Sequence, residues 1–214
     1  MAKLPDAFDR VIAGNKSYSK RLTSFNPELL TTLSAGQSPE VLWIGCADSR
    51  VPETTICDCQ PGDIFVHRNI ANVLHPSDVS SQSVIEYAVG NLKVKRIIVC
   101  GHTKCGGATA ALSDADLGET LNTWLSPVRE IRKRHEKELG RLQSTDEKAN
   151  YLAELNVQNS LETLKRNKTV LAAIRDRGLQ IYGLIYDIPA AELRVIGQVK
   201  MPVANFEEHR FGHH

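Results

Sequence analysis

Three residues of this chain carry chemistry for which a hydrophobic core has no use: Cys46, His102 and Cys105. Two thiolates and one imidazole bind a cation such as Zn²⁺ well and leave a fourth position for water or a carboxylate. Each comes with polar company. Asp48 and Arg50 follow Cys46 by two and four residues, and His102 precedes Cys105 by three across a glycine-flanked turn, a bend that can bring both donors to one ion. Singly, C-x-D-x-R and H-x-x-C are weak signals; together, with Gly106-Gly107 behind them, they are strong. The other cysteines read differently. Cysteine is among the most buried residue types, so Cys57, Cys59 and Cys100 read as packing residues, and Cys57-Asp58-Cys59 is too tight for the usual redox or zinc spacing.

Such donors need rigid elements to hold them. Val41 to Cys46 is a continuous apolar run of strand length, bounded by Pro39 and by Asp48-Ser49-Arg50, as expected of a strand buried on both faces. The pattern recurs at 64–67, 96–100 and 180–186, with helical segments between, and 193–199 alternates as a last strand after a turn near Pro189. The fold class is therefore α/β, with a central, mostly parallel sheet of four strands plus a C-terminal edge strand, flanked by helices. In such sheets sites gather outside the carboxyl ends of the strands, which is where Cys46, His102 and Cys105 fall. Trp43 precedes Cys46 by three residues, so strand alternation points the two side chains to opposite faces.

Helices are expected over 6–21, with Pro5 at its first position, and over a short stretch capped by Asn26 and stopped by Gly36. Others are expected over 77–92, 108–112, 148–167 and 169–177, the last closed by Gly178. The mixed charges of 129–148 read as a solvated helical face. Residues 1–36 form a helical arm and 37–214 a single α/β domain.

Lysine and arginine total 26 against 25 acids in 214 residues, so no basic excess recruits nucleic acid. Five cysteines without a secretory leader suit a reducing compartment, and no stretch approaches the ~20 apolar residues of a membrane span. The expected location is cytoplasmic, with organellar import open to a chain from which a leader has been removed. His213 and His214 read equally as a natural tail or an appended remnant.

Cys46-Ala47-Asp48-Ser49-Arg50-Val51-Pro52, the run from Gln60 to Asn72, Tyr87, His102 through Gly107 and Gly183-Leu184-Ile185-Tyr186 together resemble a β-class carbonic anhydrase, similar to fungal members, over nearly the whole chain. Ala47 stands where that family usually has serine. The resemblance implies a zinc lyase that reversibly hydrates CO₂ to bicarbonate and a proton through a zinc-bound hydroxide. One Zn²⁺ per subunit would be held by Cys46, His102 and Cys105. Asp48 would orient the hydroxide, with Arg50 keeping it ionised. In the resembled family that carboxylate can itself take the fourth position and close the site, so a steep loss of activity below neutrality is expected. Gln37 would hydrogen-bond substrate, while Phe65, Ile70, Tyr87 and Gly106 line its pocket.

Trp43, Arg68 and Tyr186 match a side pocket in which some family members bind inhibitory bicarbonate; a buried Trp with a structural Arg reads equally well. A homodimer or larger homo-oligomer is implied, with the active site near the interface and the N-terminal arm packed on a partner. Hydrolysis of a CO₂ analogue such as carbon disulfide would use the same ligands. A structural zinc module would need four permanent ligands. His67 and His75 are proton-transfer candidates by type, with a structural role as the plainer reading.

Overall fold

The computed structural model describes residues 6–200, so Pro5, His213 and His214 lie outside the described residues. Two compact units divide the chain, Met1–Ser38 and Pro39–His214.

In the first unit, helix α1 spans Ala7–Phe25 and α2 spans Pro27–Ala35. Asp6 starts α1 by accepting the Phe8 N–H at 2.8 Å. Asn26 serves both helices: its own N–H closes α1 on the Leu22 carbonyl, and its side chain accepts the Leu29 N–H of α2 at 3.2 Å. Because nothing between Arg21 and Asn26 interrupts helix, α1 runs four residues past its expected end. Neither helix buries a residue, and Phe8, Val11 and Phe25 stand exposed.

The second unit is built on a sheet of five strands. Strand β1 is Val41–Cys46, followed by a single turn α3, Glu53–Ile56, and by β2, Ile64–Asn69. A 3₁₀ turn (Ile70–Asn72) leads to α4, Val79–Glu86, which relaxes into a π turn over Tyr87–Asn91. Then come β3, Arg96–His102, α5, Gly106–Ala111, α6, Glu119–Arg134, and α7, Glu136–Gly140. Helices α8, Thr145–Leu164, and α9, Lys168–Arg177, precede β4, Gln180–Asp187, and β5, Glu192–Val199.

The sheet order is β2-β1-β3-β4-β5, parallel except for β5, which runs antiparallel on β4. Strands β2 and β3 extend beyond the expected 64–67 and 96–100, since Arg68, Asn69 and His102 find partners that let polar residues stay in strand. The charged stretch 129–148 is shared by α6, α7 and the start of α8. Pro127 masks the start of α6 in the sequence, because proline normally ends a helix, yet α6 runs through it.

One face of the sheet carries Leu42, Ile44, Val99 and Ile181 into a cluster with α4 and α9. The other carries Trp43, Leu184 and Tyr186 into a cluster with α5, α6 and α8. Cys46 belongs to the second cluster, with Trp43, and not to that of its alternation partners Leu42 and Ile44. The Trp43 indole lies on the Gly45 side of β1, as alternation expects, and Cys46 reaches the same cluster from the strand's end. Helix α8 lies close on the sheet over glycines: a Cβ at Gly183 would sit 2.9 Å from Val157 Cγ1 and one at Gly101 3.0 Å from Val157 Cγ2.

Candidate metal centre

Cys46 ends β1, His102 ends β3 and Cys105 caps α5, so neighbouring strand ends bring the donors together. One ligand atom from each lies within 4.8 Å of the others, and all three residues are buried. The His102 ring is fixed by Nδ1 at 2.9 Å from the Thr103 carbonyl. A carbonyl only accepts, so Nδ1 carries the proton, and in the neutral imidazole Nε2 keeps its lone pair. That Nε2 is buried without a hydrogen-bond partner. A buried lone pair beside two sulfurs is an unmet demand that a cation satisfies.

The thiols are unlike one another. The Cys105 thiol beside it, then His102 and the Asp48 backbone, draw Cys46 well below the ordinary thiol value against the opposing cost of burial. Cys46 in turn, reinforced by burial, pushes the Cys105 thiol up. Cys46 is the ready thiolate, and a bound divalent cation would deprotonate the second. At Cys100, fully in the core, burial pushes the thiol up, as it does at the half-buried Cys57 and Cys59.

At the mouth of the cluster Arg50 grips Asp48 with two parallel bonds, Nε to Oδ1 at 2.9 Å and Nη2 to Oδ2 at 2.7 Å. This guanidinium holds the Asp48 carboxyl well below the usual carboxylate range, opposing a smaller burial penalty. Asp48 Oδ2 lies 3.9 Å from His102 Nε2, which aims the carboxylate across the donor set. Arg50 Nη2 also donates to the Lys104 carbonyl at 3.0 Å, linking the two donor-bearing loops.

Arg68 is placed differently from a free anion receptor. Its Nε donates to the Cys46 carbonyl at 2.8 Å, one Nη donates to the Asp48 carbonyl at 2.6 Å, and the other lies 3.7 Å from the buried Glu53 carboxylate. Trp43 and Tyr186 are buried in the cluster that contains Cys46. Phe65 and Tyr87 form a tilted pair with centroids 5.8 Å apart. Ile70 shares a groove of about 920 Å³ with Ala47, Asn69, His75 and Trp124. Gly106 is exposed at the start of α5, and Gln37 is exposed in the separate N-terminal unit. His67 Nε2 is 3.1 Å from Asn69 Nδ2, and His75 Nδ1 is 2.7 Å from Ser77 Oγ, so both have local partners.

Sequence reasoning missed Glu53, Lys104 and the full reach of Arg68, all of which act through contacts distant in the chain. It also missed Gly45, where a Cβ would collide with Trp43 Nε1: the indole lies on the backbone of β1. Ala71, at φ 60°, and Asn72, at φ 44°, hold a left-handed bend against which Gly107 packs, a Cβ there falling 2.8 Å from that of Ala71.

A family model described as carbonic anhydrase matches residues 41–193. A carbonic anhydrase of Emericella nidulans is 44% identical over 186 residues, covering 86% of this chain and 81% of that protein. One from Candida albicans is 47% identical over 174 residues, covering 81% and 60% respectively. Among solved structures, a tetrameric β-carbonic anhydrase from Sordaria macrospora superposes with a TM-score of 0.89 at 43% identity, covering 91% of this chain and all of that one. The β-carbonic anhydrase CafA of Aspergillus fumigatus gives 0.87 at 52% identity, covering 89% and 91%. The matched segment holds every donor of the buried cluster, and on these grounds the chain belongs to the carbonic anhydrases, in their β class.

Proposed function

We propose that the chain catalyses the reversible hydration of CO₂ to bicarbonate and a proton at one Zn²⁺ per subunit, held by Cys46, His102 and Cys105. The observation that carries this reading is the buried, partnerless Nε2 of His102 beside two thiols, one of them drawn towards ionisation. Zinc in that position supplies Lewis acidity, making a water molecule acidic enough to yield hydroxide near neutral pH.

The chain's own residues do the positioning. Asp48, ionised by Arg50, can only accept a hydrogen bond, so it fixes the proton of the attacking oxygen and turns a lone pair towards the carbon of CO₂. Arg50 holds both Asp48 oxygens and leaves the carboxylate one orientation. Phe65, Ile70 and Tyr87 offer an apolar wall suited to a neutral substrate, with Gly106 leaving its rim open. A second anion pocket at Trp43, Arg68 and Tyr186 would require Arg68 to release the carbonyls it now holds. A permanently closed structural site is not favoured, since the cluster among the described residues offers three ligands rather than four.

The working assembly is a homodimer or a larger homo-oligomer with the active site near the interface. Support comes from the exposed apolar side chains of Ile70 and Tyr87, from the tetrameric Sordaria relatives, and from an N-terminal arm, residues 1–36, whose described helices bury nothing of their own. That arm is assigned to a partner subunit. Thiolate ligands must stay reduced, which suits the cytoplasm.

Stopped-flow CO₂ hydration by zinc-loaded protein tests the reading, with Asp48→Ala and Arg50→Ala alongside. Wild type should turn over well above buffer, with losses of roughly 10²-fold for Asp48→Ala and about 10- to 100-fold for Arg50→Ala. Zinc-loaded wild type that hydrates no faster than buffer contradicts it.

A further inference from the structure

The turn between His102 and Cys105 contains a residue in an unfavoured conformation. Lys104 has φ 56°, in the left-handed region that a side chain with a Cβ rarely adopts, and it sits immediately before a candidate ligand. Such a residue stays there only if its surroundings over-determine it, and the contacts of Lys104 are numerous for an exposed residue. Its N–H donates to Asn150 Oδ1 at 2.9 Å. Its carbonyl accepts from Arg50 Nη2 at 3.0 Å, and its ammonium pairs with Asp146 at 2.6 Å.

Asn150 and Asp146 are four residues apart on α8 and so share one face of that helix. Helix α8 is a firm platform. Ser144 and Glu147 form a reciprocal capping box at its start, and beyond Asn150 it buries Leu152, Ala153, Val157 and Leu164. Asp146 is exposed, so its pairing with Lys104 is screened and weak. The half-buried amide of Asn150 is the directional contact.

We propose that Asn150 is a positioning residue of the metal centre: by accepting the Lys104 N–H it holds the His102–Cys105 turn left-handed, which sets the spacing of the two donors and presents the Lys104 carbonyl to Arg50. Without that acceptor the Lys104 peptide relaxes towards negative φ. Its carbonyl then turns away from Arg50, and Cys105 shifts relative to His102. Nothing in the turn itself replaces the lost bond, because the flanking contacts, Thr103 N–H to the Tyr186 carbonyl and Ile188 N–H to Thr103 Oγ1, fix only its first half. The inference rests on the metal reading given above.

The test uses Co²⁺ as a spectroscopic probe in the full-length protein, with the rate of metal loss to a chelator and the exchange rate of the Lys104 amide measured in parallel. Asn150→Ala should alter the ligand-field absorption of the cobalt protein, speed metal loss about 10-fold, and raise Lys104 amide exchange. Asn150→Asp keeps the acceptor oxygen and should restore all three towards wild type. In the Asn150→Ala background Lys104→Gly should recover part of the loss, since glycine adopts positive φ without strain.

If Asn150→Ala shows wild-type absorption and metal retention, the role is overturned. It is equally overturned if Asn150→Asp is as impaired as Asn150→Ala and both merely lower the melting temperature, which would mark a tie between helix and loop and nothing more. Wild-type protein that takes up no cobalt overturns the metal reading itself, and this inference with it.

Discussion

Arg68 on β2 donates its Nε to the backbone carbonyl of Cys46 on β1 at 2.8 Å, so a side chain from the neighbouring strand holds the backbone of a candidate ligand. The same guanidinium holds the Asp48 carbonyl and faces buried Glu53. Arg68→Met strips two charge-assisted bonds and leaves Glu53 without its cation. Urea unfolding should show a loss of about 2–4 kcal/mol. Arg68→Lys should recover less than half of it, because an ammonium cannot present two donors in a planar fork. A loss under about 0.5 kcal/mol in Arg68→Met, the range of ordinary surface substitutions, would show that the clamp is dispensable.

Gly45 predicts a steric coupling. A Cβ there collides with the indole of Trp43, which is 3% exposed and has little room to move. Gly45→Ala should destabilise by about 1–3 kcal/mol. Combined with Trp43→Leu, the two losses should fall short of additive by about 0.5 kcal/mol or more, as contacting residues do. Strict additivity in a double-mutant cycle would mean that the indole does not rest on Gly45.

The capping box of α8 predicts a pH dependence. The backbone N–H groups of Ser144 and Gln143 donate to Glu147 and lower its carboxyl below the ordinary 4.5. A carboxyl lowered by folding contributes stability above its unfolded value and loses that contribution as pH falls through the folded one. Glu147→Gln should therefore be less stable than wild type at pH 7, with the gap closing as both are taken below pH 4.5. Parallel stability curves across that range would show that the interaction is absent.

Much of the site was legible, for a physical reason. A strand buried on both faces must be apolar throughout, so Val41–Cys46 announces itself and ends on a candidate ligand. Cys46, His102 and Cys105 were legible because a parallel sheet gathers its strand ends. Of α6, only the part from 129 onward was read as helix; its start at Glu119, with Pro127 inside, was not. Residues that fix the donors from afar left no local trace: Lys104 and Asn150 are 46 positions apart, and Arg68 lies 22 from Cys46. In each pair one member is a backbone atom, which every residue carries, so no residue type marks the pairing in advance.

The central claim is that the buried Cys-His-Cys cluster holds the metal on which hydration of CO₂ depends. Its most direct test is to strip the protein with a chelator, return zinc in steps, and follow bound zinc and stopped-flow CO₂ hydration together, with Cys46→Ala as a parallel sample. Activity should vanish on stripping and return in proportion to zinc, reaching its plateau at one ion per chain, while Cys46→Ala neither retains zinc nor regains activity. Full hydration by stripped protein, or by a Cys46→Ala variant devoid of zinc, would contradict the account.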